Sequence, residues 1–208
     1  MNHPHTGERI VLASNNAGKV REINELLAGA SIQVIPQGDL GVPEADETGL
    51  TFVENAILKA RNAAAHSGLP AIADDSGLEV DALEGAPGIY SARYAGAGAS
   101  DADNLARLLA AMEGLEDGRR GARFQCLMVY MRHAEDPTPV ICQGTWEGGI
   151  LHRPTGANGF GYDPVFLVPT HGCSAAELDS PTKNALSHRG QALRCLVAYL
   201  EGRDSTQA

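Results

Sequence analysis

Two adjacent carboxylates, Asp74 and Asp75, end the short apolar run Leu69-Pro70-Ala71-Ile72-Ala73 and are followed by Ser76, Gly77 and Leu78. A buried strand that delivers carboxylates at its end points them into a crevice, where they can hold a divalent metal or accept a proton. The same residues also suit an acidic turn in which both side chains bond backbone amides. Three other segments bear on the choice. In Ser14-Asn15-Asn16-Ala17-Gly18-Lys19, small polar residues join an apolar run to a helical pattern. Such a loop presents the unpaired amides and positive dipole end of a helix N-terminus, which suits phosphate, and Lys19 adds an ammonium charge. It is not a Walker A loop, because the G-x-x-x-x-G-K-[ST] spacing is missing and Val20 follows the lysine. An ordinary N-cap by Ser14 or Asn15 is the competing reading.

The acidic loop Pro43-Glu44-Ala45-Asp46-Glu47-Thr48-Gly49 offers further metal-ligand candidates, against the alternative of a solvated loop. In Gly156-Ala157-Asn158-Gly159-Phe160-Gly161-Tyr162-Asp163-Pro164, glycines around two aromatics let a flat ring approach the backbone while Phe160 or Tyr162 stacks on it. That fits a nucleobase pocket; a tight turn with Phe160 in a core cluster uses the same residues. The stretch Ser180-Pro181-Thr182-Lys183-Asn184-Ala185-Leu186-Ser187-His188-Arg189-Gly190 concentrates positive charge in an acidic protein. Lys183, His188 and Arg189 can bind phosphate or donate to a carbonyl on a base, with Arg189 offering a planar fork; a basic helix start on the surface is the alternative.

These residues need elements to position them. Residues 9–13 read as a buried strand, and 20–27 as a helix with Ile23, Leu26 and Leu27 on one face. Thr51-Phe52-Val53-Glu54 has capping-box spacing, so a helix should start at Thr51 and run through an alanine-rich stretch to Ser67-Gly68. The chain should then turn at Asp74-Asp75. Residues 85–96 read as an ordered loop with two tyrosines and an arginine, and Leu105, Leu108, Leu109 and Met112 give a core-packing helix over 101–112. Two long strands, 123–131 and 139–146, flank the polar link 132–136 as a hairpin, and a closing helix turns Leu193, Leu196, Val197 and Leu200 inward.

At 208 residues and 43% hydrophobic, the chain is expected to build one domain over 9–201, with a disordered tail at 1–8 and another at 202–208. A net charge of -10 speaks against broad nucleic-acid binding while leaving room for a small anion in a local basic pocket, and it suits a bound cation. Cys126, Cys142, Cys173 and Cys195 are scattered without a C-x-x-C pair, which indicates reduced thiols rather than zinc or a disulfide framework. His3 and His5 fall in the polar tail and receive no role. No apolar run approaches the roughly 20 residues of a membrane span, and the N-terminus has no signal-like segment, so a soluble, cytoplasmic protein is expected.

Taken together, the segments resemble the Ham1-type inosine/xanthosine triphosphate pyrophosphatases, from about Ile10 to Leu200. The resemblance lies in Ser14-Asn15-Asn16-Ala17-Gly18-Lys19, in Glu47-Thr48-Gly49-Leu50-Thr51-Phe52-Val53-Glu54-Asn55-Ala56 and in Ala73-Asp74-Asp75-Ser76-Gly77-Leu78. It continues in Gly88-Ile89-Tyr90-Ser91-Ala92-Arg93-Tyr94, Gly159-Phe160-Gly161-Tyr162-Asp163-Pro164 and Ser187-His188-Arg189. The fold this implies is α/β, an elongated mixed sheet flanked by helices, with two lobes around a central nucleotide-binding cleft. The activity implied is house-cleaning hydrolysis of ITP, dITP and XTP to the monophosphate and pyrophosphate, by a Mg²⁺-dependent homodimer.

By motif, the resemblance makes Asp75 the proton acceptor and a metal ligand. Ser14, Asn15, Asn16, Ala17, Gly18 and Lys19 would hold the phosphates, and Ser76 would touch substrate. Phe160, Gly161, Tyr162, Asp163, Lys183, His188 and Arg189 would complete the nucleotide site. Asp46 and Glu47 stand where the family often has two glutamates, which leaves open which of them reaches the ion. A base filter is expected from donors aimed at the 6-oxo group, from Arg189, Lys183 or backbone amides, which would reject adenine. A pyrimidine-directed pyrophosphatase, an aspartyl phosphomonoesterase and a non-catalytic nucleotide sensor are the other readings; the second needs an Asp-x-Asp arrangement that Asp74-Asp75-Ser76 lacks.

Overall fold

The computed structural model describes residues 9–27 and 32–202. The tail expected at 1–8, with His3 and His5, and residues 203–208 lie outside the described residues. Along the chain run β1 (Arg9–Leu12), α1 (Ala17–Leu27), β2 (Gln33–Pro36), α2 (Phe52–Ser67), β3 (Ala71–Val80) and α3 (Asp101–Ala111). They are followed by β4 (Gly121–Met131), β5 (Val140–Ile150), β6 (Phe166–Val168), β7 (Cys173–Ser174), α4 (Ser180–Leu186) and α5 (His188–Leu200). The strands form one seven-stranded sheet in the order β2-β1-β3-β4-β5-β6-β7. β1 pairs in parallel with both β2 and β3, whereas β6 pairs antiparallel with β5 and β7, so the sheet is mixed and the fold is α/β. Among the described residues no helix is long and apolar enough to cross a membrane, and all four cysteines are free thiols.

The chain divides into two compact units. One holds the described residues up to Asp75, Cys126–Gly144 and those from Arg189 onward; the other holds Ser76–Gln125 and Thr145–His188. In the first, the two-residue period of a strand sorts the core onto two faces. Ile10, Leu12, Ile72, Cys126 and Met128 meet Ile23 and Leu27 of α1 and Leu193, Leu196 and Leu200 of α5. The alternate residues Val11, Ala71, Ala73 and Val129 meet Ala56, Ala60, Ala63 and Ala64 of α2. That alanine stripe lets α2 lie close to the strands. Truncating a fully buried member such as Ile72 or Leu196 to alanine costs about 2–5 kcal/mol.

α2 begins as its sequence requires: the Thr51 hydroxyl accepts from Glu54 N, and the Glu54 carboxylate returns to Thr51 N. It ends at Gly68, whose φ of 68° is the left-handed conformation that glycine adopts without penalty. In α1 the cap is Asn16, whose Oδ1 accepts from Lys19 N at 3.0 Å, rather than Ser14 or Asn15.

One expectation is corrected. The chain does not turn at Asp74-Asp75, because β3 continues through both carboxylates, Ser76 and Gly77 to Val80. Leu78 and Val80 are fully buried and extend the apolar pattern past the acids, so the strand gains burial by continuing. The carboxylates therefore stand mid-strand, on opposite faces of the sheet.

The second unit is organised by aromatic rings. Phe124 packs on Phe166 with centroids 4.5 Å apart, on Trp146 at 6.3 Å and, stacked at 12°, on His188 at 4.7 Å. Leu78, Val80, Leu108 and Met112 complete this core.

Candidate active site

Asp74 points to the face carrying α1 and α5. Its side chain is wholly buried, with Oδ1 on Lys19 Nζ of α1 and Oδ2 accepting from Arg189 Nε of α5 at 3.0 Å. The Cys126 thiol donates to the same Oδ2 at 3.1 Å. Arg189 is itself buried, and its Nη1 pairs with Glu22 of α1. The result is an alternating chain of charge, Glu22, Arg189, Asp74 and Lys19, in which each buried ion has an opposite neighbour as burial demands.

Asp75 points the other way, to α2. Lys59 of that helix sends its ammonium to Asp75 Oδ1 at 2.6 Å, to the Asp74 carbonyl at 2.7 Å and to Glu47 Oε1 at 3.0 Å. The constellation thus sets four carboxylates (Glu22, Glu47, Asp74, Asp75) against three cations (Lys19, Lys59, Arg189), an excess of negative charge.

Opposite faces give the neighbours opposite acidities. Burial alone would raise the pKa of Asp74, but Arg189, Lys19 and Lys59 outweigh it and hold the carboxyl well below its ordinary range. Burial pushes Asp75 up, and Lys59 and Lys19 offset this only in part. Burial would likewise lower Lys59, yet Asp75 and Glu47 outweigh it and keep the ammonium firmly charged. Of the two neighbours, Asp74 is therefore the weaker base and Asp75 the stronger.

The second unit holds its own cluster. Lys183 Nζ pairs with Asp163 Oδ2 at 2.6 Å, both side chains buried, and lies 5.2 Å from the centre of the half-buried Phe160 ring. The same Asp163 oxygen accepts from Phe160 N at 2.9 Å. Gly159 must be glycine here, since its φ is +75° and a Cβ would lie 2.1 Å from that oxygen. Gly161 N donates to Asp101 Oδ2 at 2.8 Å. Tyr162 belongs to the core, its hydroxyl donating to the Ser91 carbonyl at 2.8 Å, which leaves Phe160 as the ring able to stack on a ligand.

Of the residues marked from sequence, Ser14, Lys19, Asp74, Asp75, Glu47 and Arg189 lie in the first unit, with Asn15, Asn16 and Ala17 exposed at the start of α1 and Gly18 partly so. Asn15 Nδ2 reaches Glu44 Oε1 at 2.9 Å, and Asp46 is exposed while Glu47 turns to Lys59. Ser76, Phe160, Gly161, Tyr162, Asp163, Lys183 and His188 lie in the second. The basic run is not a surface patch: Lys183 and Arg189 each face a buried carboxylate, and His188 is stacked in the aromatic core. Lys59 and Glu22 stand outside the motifs read from sequence, and Cys126 was read there only as a reduced thiol. The signal for Lys59 was its place beside the Ala56, Ala60, Ala63 stripe, where a lysine must be half-buried and therefore paired.

Among the described residues no three His, Cys, Asp or Glu side chains converge as a metal-ligand set, so Asp46, Glu47 and Asp75 do not form one by themselves. Glu47 and Asp75, however, both reach one cationic point at Lys59 Nζ. A pair of carboxylates with oxygens from a phosphate ligand is a donor set that Mg²⁺ commonly takes, so these residues fit the ion.

The fold and this site define an α/β protein whose mixed sheet carries a buried acid and lysine constellation at the helix N-terminus of its first strand–helix unit. Comparison with known proteins specifies the class. The sequence model of the Ham1 family matches residues 10–199, and the chain belongs to that family. It is 63% identical over 195 residues to the dITP/XTP pyrophosphatase of Thioalkalivibrio sulfidiphilus, spanning 94% of this chain and all of that relative. With the dITP/XTP pyrophosphatase of Methylococcus capsulatus the identity is 64% over 192 residues, spanning 92% of this chain and 96% of the relative. The structure of a HAM1 protein from Coxiella burnetii superposes with a TM-score of 0.87 at 53% identity, covering 94% of this chain and 99% of that one.

Proposed function

We propose that this protein hydrolyses deaminated purine nucleoside triphosphates, ITP, dITP and XTP, to the nucleoside monophosphate and pyrophosphate. The observation that carries the reaction is the divergent pair on β3: Asp74 held as an anion by Arg189 and Lys19, Asp75 raised in pKa beside Lys59. The names of the relatives, dITP/XTP pyrophosphatases, support the substrate class.

In this reading Asp75 takes a proton from the water that attacks the α-phosphorus, and its raised pKa makes it a stronger base than an ordinary aspartate. Lys19, with the amides from Ser14 to Gly18 at the start of α1, neutralises charge gathering on the pyrophosphate leaving group. Asp74 aims Lys19 rather than touching the reacting atoms, and Arg189 acts through Asp74. Mg²⁺ held by Glu47 and Asp75, with Asp46 outside the set, would screen the phosphate oxygens during displacement. Phe160 stacks on the base, and Lys183, which keeps one ammonium hydrogen on Asp163, donates another to the 6-oxo group that adenine lacks. Within the second unit Gly161, Tyr162, Asp163 and His188 brace the segments that carry Phe160 and Lys183, and Ser76 is assigned to substrate by the family resemblance. Homodimerisation and a cytoplasmic location complete the proposal; the first rests on the family resemblance and is tested by sedimentation, and the four free thiols support the second.

Hydrolysis of ITP, XTP, GTP and ATP with Mg²⁺, with pyrophosphate and orthophosphate assayed separately, tests the reading. Monophosphate and pyrophosphate from ITP and XTP, with little from GTP or ATP, are expected. Release of orthophosphate would point to a phosphomonoesterase, and binding without turnover to a sensor; either outcome overturns the assignment of Asp75.

A further inference from the structure

The loop that carries Glu47 is fastened to α2 without any help from Lys59. At one end Asn62 Nδ2 donates to the Pro43 carbonyl at 2.7 Å. At the other, three consecutive backbone amides are taken by side chains of the first helical turn: Gly49 N by Asn55 Oδ1, and Leu50 N and Thr51 N by Glu54 Oε2, each at 2.9 Å. Asn55 is fully buried, and Gly49 lies so close that a Cβ would meet Glu54 Cβ at 2.6 Å. Asn55, Lys59 and Asn62 recur at helical spacing on one face of α2, so the lysine sits between the two fastenings. Asp75 is fixed independently, as part of β3.

The backbone that carries each carboxylate is therefore held without Lys59, so the ammonium between them is free to serve as a counter-ion rather than a brace. We propose that Lys59 is a displaceable counter-ion that competes with the divalent cation for Glu47 and Asp75. This rests on the metal assignment made above. A divalent ion drawn to the same two oxygens meets the Lys59 charge a few ångströms away, so the lysine lowers affinity for the free ion until it leaves. By linkage, an anionic phosphate that offers Lys59 another partner raises the affinity for the ion, and the ion raises that for the phosphate.

The test is Mn²⁺ binding to the nucleotide-free full-length protein, followed by the electron paramagnetic resonance of the free ion. Lys59→Met is expected to bind Mn²⁺ at least about tenfold more tightly than the wild type. Its melting temperature should also rise more on adding Mn²⁺, since the variant's carboxylates have lost their cation. Asn55→Ala, which unfastens the loop, is expected to weaken binding. Equal, weaker or undetectable binding in Lys59→Met overturns the competition and makes the lysine a brace. If Glu47→Gln abolishes binding in that case, the metal assignment stands; if neither Glu47→Gln nor Asp75→Asn changes Mn²⁺ affinity, the assignment itself falls.

Discussion

Lys19 and Lys183 each hold a buried aspartate, Asp74 in one unit and Asp163 in the other, yet the two pairs keep opposite company. Lys19–Asp74 is one link in a network that includes Arg189, Glu22, Lys59 and Asp75. Lys183–Asp163 is set against the Phe160 ring, and its acid also fixes the Phe160 amide. The same two residue types thus do different work. Among many charges a lysine–aspartate pair tunes acidity and concentrates cationic charge; beside an aromatic ring it fixes the position of a donor and a stacking face. In the proposed function the first unit serves chemistry at phosphate and the second reads the base.

The largest expected effect separates the two neighbours on β3. Asp75→Asn should lower turnover by about 10²–10⁴-fold, the usual contribution of a general base. Stability at neutral pH should hold or rise. The folded pKa of Asp75 lies above its unfolded value, so at any pH above the unfolded pKa its charge costs stability, and Asn removes that cost. A variant with full activity, or one that unfolds, would erase the distinction between Asp75 and Asp74.

Asp74→Asn should do the opposite, costing about 3–5 kcal/mol because Arg189 and Lys19 lose a buried counter-charge. The folded pKa of Asp74 is depressed, so its contribution is fully present above the unfolded value of ~3.9 and is lost as pH falls toward the folded one. Urea unfolding of wild type and variant as a function of pH checks this. The gap between them should be wide at neutral pH and narrow in acid; a gap independent of pH would mean that Asp74 contributes shape and not charge.

That contrast was half legible in the sequence. The helix start at Thr51 could be read because a capping box is local chemistry, and the α5 core face because its leucines keep helical spacing. The continuation of β3 could not, since two aspartates and a glycine look like a turn until Leu78 and Val80 find their core. Arg189 could be marked as a cation but not as the partner of Glu22, because that pair spans 167 residues of sequence. Lys59 was hidden for the same reason: its function depends on Glu47 and Asp75, which only folding brings to it. Motifs record residue types in order, whereas pKa values depend on neighbours across the fold.

Lys19→Ala sharpens the division between the units. It should raise KM for every triphosphate about tenfold to hundredfold, as loss of a hydrogen bond to a charged group worth ~1.5–3 kcal/mol implies. The ratio of ITP to GTP turnover should stay near its wild-type value, because the proposal assigns base discrimination to the other unit. Steady-state kinetics on both substrates decides it, and a change in base preference alone would move Lys19 out of the phosphate role.

The smallest effect is expected on the aromatic side. Phe160→Ala removes a half-buried ring whose loss leaves the Asp163 and Lys183 pair in place. Stacking of a base on an aromatic side chain contributes about 1–3 kcal/mol, so KM for ITP should rise while kcat changes little. Phe160→Tyr keeps a π-face and should recover most of the affinity, whereas Phe160→Leu keeps only the volume. If leucine restores KM as well as tyrosine does, the ring acts by filling space, and the base is gripped through Lys183 instead. If only tyrosine restores it, stacking is the second unit's contribution, one that a charge network such as that around Asp74 does not supply.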